Sequence, residues 1–286
     1  MTVSPAAERV PRQSDVDAFG LTHPGKMRPA NADQFLIVTL HKTTQVQASS
    51  LPSALSKTQT SNAQAFIFLV ADGVGSGAGV LASEAALRHV MSYVTHATRL
   101  CYTVDAEEHD HFLEELKKAV TRAHDEVHQH AQVGGATSMA TTLTLVAFIW
   151  PMAYLVHVGD SRCYRLREGE LQRITRDQTM AQALVDAGVM PRDVADASRW
   201  KHVLSSALGA ADAVPATSVY DHRWEDVMLL CTDGLTKHAS DDEIRGVLTD
   251  VKSAEEICRT LLSLALDRGA TDNVTAVVGR LRERTA

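Results

Sequence analysis

The sequence predicts an α+β fold in which mainly antiparallel strands are flanked by helices. Three observations predict it: apolar runs between Thr141 and Ile174 joined by links too short for crossover helices, two amphipathic stretches before them, and a third near the C-terminus. The chain has 286 residues, 45% hydrophobic and 22% charged, enough for a large core. Its net charge of -7 and lack of a basic stripe argue against non-specific nucleic-acid binding. No apolar run is long enough to cross a bilayer, and the polar start lacks an apolar signal core, so a cytoplasmic protein without membrane contact is expected. Cys101, Cys163, Cys231 and Cys258 are widely spaced and read as reduced core thiols.

Residues 1–16 carry Pro5, Pro11 and several charges without periodicity, and read as a flexible lead-in. Residues 18–22 predict a first strand; after the turn-forming His23-Pro24-Gly25, residues 34–38 predict a second. Between them, Arg28 offers a planar fork suited to phosphate, and Asp33 abuts the second strand. Residues 41–64, rich in Ser, Thr and Gln, predict a long loop or partly disordered insertion. The apolar run 65–69 predicts a buried strand leading into Val70-Ala71-Asp72-Gly73-Val74-Gly75. Residues 81–96 predict a helix burying Ala86, Leu87, Val90, Met91 and Val94, and residues 111–132 one burying Phe112, Leu116, Ala119, Val120, Ala123 and Val127. On the second helix only His124 and His128 share i, i+4 spacing and no His-Glu-x-x-His motif forms, so its histidines read as a solvated face.

Strands are then predicted at 141–150, 153–158 and 162–166, with Glu168-Gly169 turning into 171–174. The second of these ends at Gly159-Asp160-Ser161-Arg162. Residues 177–208 are irregular, with a short helix near 180–187, and their polarity predicts a mobile flap. Another apolar run, 227–230, ends in Cys231-Thr232-Asp233-Gly234. Ser253 and Glu256 form a capping box for a helix that Arg268-Gly269 stops, and Asp272 opens a last strand at 274–278.

Asp72, Asp160, Asp233 and Asp272 thus stand at strand ends far apart in sequence. If the strands share one domain, their ends converge into an all-oxygen cluster that repels itself without cations. With no His or Cys beside them, the donors suit magnesium or manganese rather than zinc. Two such ions can activate water and clamp an in-line displacement at phosphorus, with Arg28 on the phosphoryl oxygens. Hydrolysis of a phosphate monoester is the reaction this equipment suits.

Six motifs carry a resemblance in the same order: Arg28-x-x-Asn31-x-Asp33, Val70 to Gly75, Met139-Ala140-Thr141-Thr142, Val158 to Arg162, Thr232-Asp233-Gly234-Leu235 and Asp272-Asn273-x-Thr275. Together they resemble the metal-dependent protein phosphatase family, protein phosphatase 2C, over residues 18–281. The resemblance implies a four-layer α-β-β-α sandwich, with residues 17–286 as a single catalytic domain of bacterial type. It implies a serine/threonine protein phosphatase using Mn2+ or Mg2+ on phosphoserine or phosphothreonine proteins. Attack is by a metal-bridging hydroxide, without a phosphoenzyme. Asp72 would bridge two metals with the Gly73 carbonyl on one, Asp233 and Asp272 would bind the other, and Asp33 would act through metal-bound water. Arg28 would bind phosphate, and Asp160 with Asp233 would hold a weaker third ion. By analogy the substrates would be those of a partner Ser/Thr kinase, and the default state is a monomer.

The chain departs from the family pattern at Ala32, where many members have Glu, and at Ser76 and Ala140, where Gly is common. Val74 replaces a His proposed as general acid in some members, which leaves leaving-group protonation to a metal-bound water. These departures motivate an alternative, a catalytically weak phosphatase-like binding or regulatory protein. A dinucleotide fold is also formally suggested by Gly73-x-Gly75-x-x-Ala78. It is disfavoured by Asp72, by the hairpins that follow, and by the lack of an acidic residue about twenty positions on.

Overall fold

Apolar residues fill both faces of the central strands, so each strand needs cover on two sides. In a computed structural model, which describes residues 9–45, 58–75, 77–96, 106–133, 139–250 and 253–282, two stacked sheets with outer helices supply that cover. With strands numbered in chain order, the first sheet runs β1 (Val16–His23), β11 (Val274–Leu281), β10 (Val227–Cys231), β7 (Arg162–Arg167), β8 (Glu170–Arg173). The second runs β2 (Asp33–Gln45), β3 (Thr58–Val74), β5 (Leu143–Ile149), β6 (Met152–Val158), β9 (Ala216–Asp221), while β4 (Ala140–Thr141) pairs with the end of β3. Every pairing is antiparallel. The β7–β8 turn is the predicted one, with Glu168 at φ 51° and Gly169 at φ 80°, the twist a two-residue hairpin requires.

The two-residue period of a strand sorts its side chains between layers. On β3, Phe68 and Val70 meet Met228, Leu230 and Val277 of the opposite sheet. Ile67, Leu69 and Ala71 point the other way, against α1 (Ala78–His96) and α2 (Ala106–Val133). On β10, Leu229 and Cys231 pack under α7 (Ala254–Asp267), where Ile257, Leu261 and Ala265 are buried. The predicted stripes of α1 and α2 lie inward as expected, with Met91 partly covered. Ser253 caps α7 by accepting from the Glu256 amide at 3.2 Å, and Gly269 at φ 95° follows its end. Cys163, Cys231 and Cys258 are free buried thiols, as predicted; Cys101 lies outside the described residues.

Four stretches differ from the sequence reading. Within the predicted loop at 41–64, residues 41–45 and 58–64 are sheet: β2 and β3 continue pairing to Gln45↔Thr58, past irregularities at Leu40/His41 and His41/Thr43. Backbone pairing needs no apolar period, so a hydropathy pattern misses it. Residues 46–57 of that insertion, residues 1–8 of the lead-in and Ser76 lie outside the described residues. Residues 177–208 are built rather than irregular, with α3 (Met180–Asp186), α4 (Arg192–Ala197) and a 3-10 turn at Arg199–His202. Their ends are pinned by Gln178 N to Gly159 O at 2.7 Å and by the Thr141↔Leu208 bridge. The sequence reading misses the edge strand β9, which is only half apolar, and α6 (Asp241–Asp250), which follows the four-residue helix α5 (Asp233–Thr236). The signal for α6 was Ile244 and Leu248 at i, i+4 behind Ser240, whose hydroxyl accepts from the Glu243 amide at 3.3 Å.

Among the described residues no helix is long and apolar enough to cross a membrane. Leu230, fully buried between the sheets, is a direct probe of the sandwich. Leu230→Ala is expected to cost about 2–5 kcal/mol, read as a lower urea midpoint with an unchanged slope.

Candidate metal centre

Antiparallel register brings the first two carboxylates together, because Asp33 at the start of β2 pairs directly with Asp72 near the end of β3. Asp33 is 1% exposed. Its Oδ2 accepts from the hydroxyls of Thr232 and Thr275, both at 2.7 Å, the first just past the end of β10 and the second in the neighbouring strand β11 of the other sheet. Asp72 is fixed through its backbone: its amide donates to Thr142 Oγ1 at 3.0 Å, and its carbonyl accepts from the Thr142 amide and the Thr141 hydroxyl, each at 2.9 Å. Only glycine fits next. A Cβ on Gly73 would lie 2.2 Å from the Gly79 carbonyl oxygen and 2.8 Å from that of Ala32.

Asp233 opens α5 at the end of β10, and Asp272 sits just before β11. Asn273 shapes the loop opposite by accepting from the Ala32 amide at 2.8 Å and donating to the carbonyls of Pro24 and Ala30. That loop presents Arg28, whose Nε and Nη2 reach the Asp272 carboxylate at 3.0 and 3.1 Å. Arg28, Asp72, Gly73, Asp160, Asp233 and Asp272 line one cavity of about 760 Å3, with Asp33 buried beside Asp72. All seven residues singled out in the sequence are therefore brought to one place.

The sequence reading misses Lys237. Its Nζ bridges Asp233 Oδ2 at 2.7 Å and Asp272 Oδ2 at 3.0 Å. The i, i+4 spacing from Asp233 was the available signal. It also misses the hydroxyls of Thr142, Thr232 and Thr275, which depend on sheet pairing, and His202, brought to the cavity by the 177–208 segment. Burial, then Lys237 and Lys201, hold the His202 imidazole below its usual range. Of the departures, Ala32 is buried and its carbonyl accepts from the Ser83 hydroxyl at 2.6 Å. Val74, 40% exposed, lines the cavity and offers no proton.

Electrostatics fits the donor set to divalent ions. Burial first, against hydrogen bonds from Thr275 and Thr232 and with repulsion from Asp233 and Asp272, pushes the Asp33 carboxyl up to about 7. Burial, then Asp33, Asp233, Asp160 and Asp272, raise Asp72 well above the carboxylate range. Burial, Asp233 and Asp177 push Asp160 up to about 7, opposed by Lys237. At Asp272 burial is outweighed, and Lys237 and Arg28 hold the carboxyl below its ordinary value. Oδ1 of Asp33 and Oδ1 of Asp233 are buried without a protein partner. Unpartnered oxygens on crowded carboxylates are what hard, oxygen-seeking cations complete.

Two predictions follow from these charges. A carboxyl raised from about 3.9 unfolded to about 7 folded keeps its proton longer in the native state, so the unfolded chain binds fewer protons between those values. Chelator-treated protein is therefore expected to lose stability as pH rises from about 4 to about 7, and saturating Mg2+ should flatten that profile in thermal melts. Lys237→Met removes a fixed positive charge from two carboxylates and should tighten Mn2+ binding roughly tenfold in calorimetry; unchanged affinity would count against competition by the ammonium.

The family model described as protein phosphatase 2C matches residues 54–276, a span containing Asp72, Asp160, Asp233 and Asp272. The serine/threonine protein phosphatase PstP of Mycobacterium tuberculosis is 35% identical over 217 residues, 76% of this chain but 40% of that protein. The chain thus spans about two-fifths of the length of that relative. Protein phosphatase PhpP of Streptococcus pneumoniae is 29% identical over 224 residues, 77% of this chain and 87% of that protein. The crystal structure of the Mycobacterium tuberculosis phosphatase PstP/Ppp has a TM-score of 0.73 at 28% identity, covering 94% of this chain and 99% of that one. The catalytic domain of PstP in complex with two manganese ions gives 0.70 at 28% identity, covering 94% and 99%. By its matched span, its two antiparallel sheets between helices and its ordered motifs, the chain belongs to the protein phosphatase 2C family.

Proposed function

We propose that this chain is a metal-dependent protein-serine/threonine phosphatase, hydrolysing phosphoserine and phosphothreonine on proteins with two divalent ions, Mn2+ or Mg2+. The observation that carries the reading is the convergence of Asp72, Asp160, Asp233 and Asp272 on one cavity, with Arg28 at its rim and Asp33 buried beside Asp72. The manganese in the PstP structure supports the choice of metal. In this reading Asp72, the Gly73 carbonyl, Asp233 and Asp272 would hold the two ions, and Asp33 would contribute through intervening water. Asp160 with Asp233 serves a weaker third ion. The ions, when bound, supply Lewis acidity that activates water and offsets phosphoryl charge.

The protein's own residues do the positioning. Arg28 is 53% exposed in its side chain, so its fork can exchange the Asp272 carboxylate for phosphoryl oxygens of similar geometry. Thr232 and Thr275 fix Asp33 Oδ2 and leave Oδ1 buried without a protein partner. The setting we assign is a cytoplasmic monomer opposing a Ser/Thr kinase, with that kinase's phosphoproteins as substrates.

Metal-dependent hydrolysis of a phosphothreonine peptide or an aryl phosphate is the test. Asp72→Asn and Asp233→Asn should abolish it, as should chelation. Metal-replete protein no more active than those variants would instead support a phosphatase-like binding protein. Arg28→Ala should lower kcat/KM roughly 10- to 100-fold, the loss of one charge-assisted contact. Asp160→Ala should bind two ions normally yet turn over slowly; turnover equal to wild type would remove the third-ion role.

A further inference from the structure

Away from the acidic cavity, the outer seam between α1 and α2 is cross-linked in successive layers. In one layer the Tyr93 hydroxyl donates to Glu115 at 2.5 Å, and the Arg122 guanidinium lies over the Tyr93 ring at 4.9 Å. A turn further along the seam, the cation is missing. There His89 Nε2 faces Glu126 Oε2 at 4.0 Å, too long for a hydrogen bond, and the His89 and His130 rings are 6.3 Å apart. One ligand atom from each of His89, Glu126 and His130 lies within 4.8 Å of the others. Among the described residues no Lys or Arg pairs with Glu126.

Hydrogen bonding prepares this group and excludes its neighbours. His130 Nδ1 is 2.8 Å from the Glu126 carbonyl oxygen, which can only accept, so Nδ1 carries the proton and Nε2 keeps its lone pair. A ring nitrogen donating to a backbone carbonyl is the usual support of a metal-binding histidine. His124 and His128 on the same helix are committed elsewhere: the Gly209 amide donates to His124 Nδ1 at 3.0 Å, while His128 has both nitrogens engaged, Nδ1 on the Gly209 carbonyl at 3.1 Å and Nε2 at 2.9 Å from Gln132 Nε2. The sequence reading set the histidines of this helix aside as a solvated face and missed Glu126 and His130, also at i, i+4, because the third member comes from another helix.

We propose that His89, Glu126 and His130 form a zinc site separate from the acidic cavity, with water completing the coordination. Two imidazoles and one carboxylate suit Zn2+ rather than Mg2+. Metal bonds of about 2.0–2.2 Å bring tetrahedral ligand atoms to roughly 3.4 Å, so these partly exposed side chains, now within 4.8 Å of one another, need to close by up to about 1.4 Å. The ion would staple α1 to α2. α1 contributes Val80 to the cavity lining, and α2 holds Gly209, next to cavity-lining Ala210 and Ala211.

The test is calorimetric titration of the tag-free full-length protein with Zn2+ in excess Mg2+, alongside His89→Ala, His130→Gln and Asp72→Asn. Wild type and Asp72→Asn should bind one Zn2+ that His130→Gln and His89→Ala lose or bind at least tenfold more weakly. Zinc should raise the Tm of wild type but not of His130→Gln, an exposed position where the substitution should leave the fold intact. Substituted Co2+ should give the intense visible bands of a tetrahedral site in wild type and not in His130→Gln. Equal zinc stoichiometry and affinity in wild type and His130→Gln, or zinc lost only in Asp72→Asn, would overturn the proposal.

Discussion

Mutual repulsion among buried carboxylates is the constraint on which the rest of the structure depends. Asp33 and Asp72 are register partners on adjacent strands, and Asp160, Asp233 and Asp272 crowd the same volume. Water would separate such charges; the fold holds them together. The cost is taken up by what surrounds them. Threonine hydroxyls from the facing sheet bind one oxygen of Asp33, backbone contacts immobilise Asp72, and Arg28 and Lys237 clamp Asp272. Five carboxylates against two cations still leave three uncompensated charges when all are ionised, which is the demand divalent ions meet.

A sandwich of two sheets is suited to holding that arrangement. Each sheet is buried against helices on one side and against its neighbour on the other, so Phe68, Met228, Leu230 and Val277 fix the sheets relative to one another. Asp33 belongs to one sheet while its two hydroxyl donors flank or lie in the other, so its hydrogen bonds report the distance between sheets. Rigidity of the core thereby becomes geometry at the site. Ordinary loops could not hold like charges so close.

Two positions give this member its particular character. Lys237 places an ammonium between Asp233 and Asp272, an internal counterion that any metal on that pair must displace. Val74 puts a hydrocarbon on the rim where a proton donor would be useful, while His202 reaches the cavity from the 177–208 segment.

The sequence by itself determined the central strands, though not the edge strand β9, and where their carboxylates stand. Val227 to Leu230 before Asp233, and Ala65 to Leu69 before Asp72, are legible because burial on both faces demands continuous apolar runs. It also determined the inward stripes of α1, α2 and α7, since a 3.6-residue period is local information. It misjudged residues 41–45 and 58–64, where backbone pairing rather than hydropathy makes the strand. Only the tertiary structure decided who meets whom. Thr232 and Thr275 reach Asp33 across about 200 and 240 residues, Lys237 spans to Asp272, and His89 comes from α1 to Glu126 and His130 on α2. Such contacts have no period along the chain, because they arise from packing between elements and are set by distances in space.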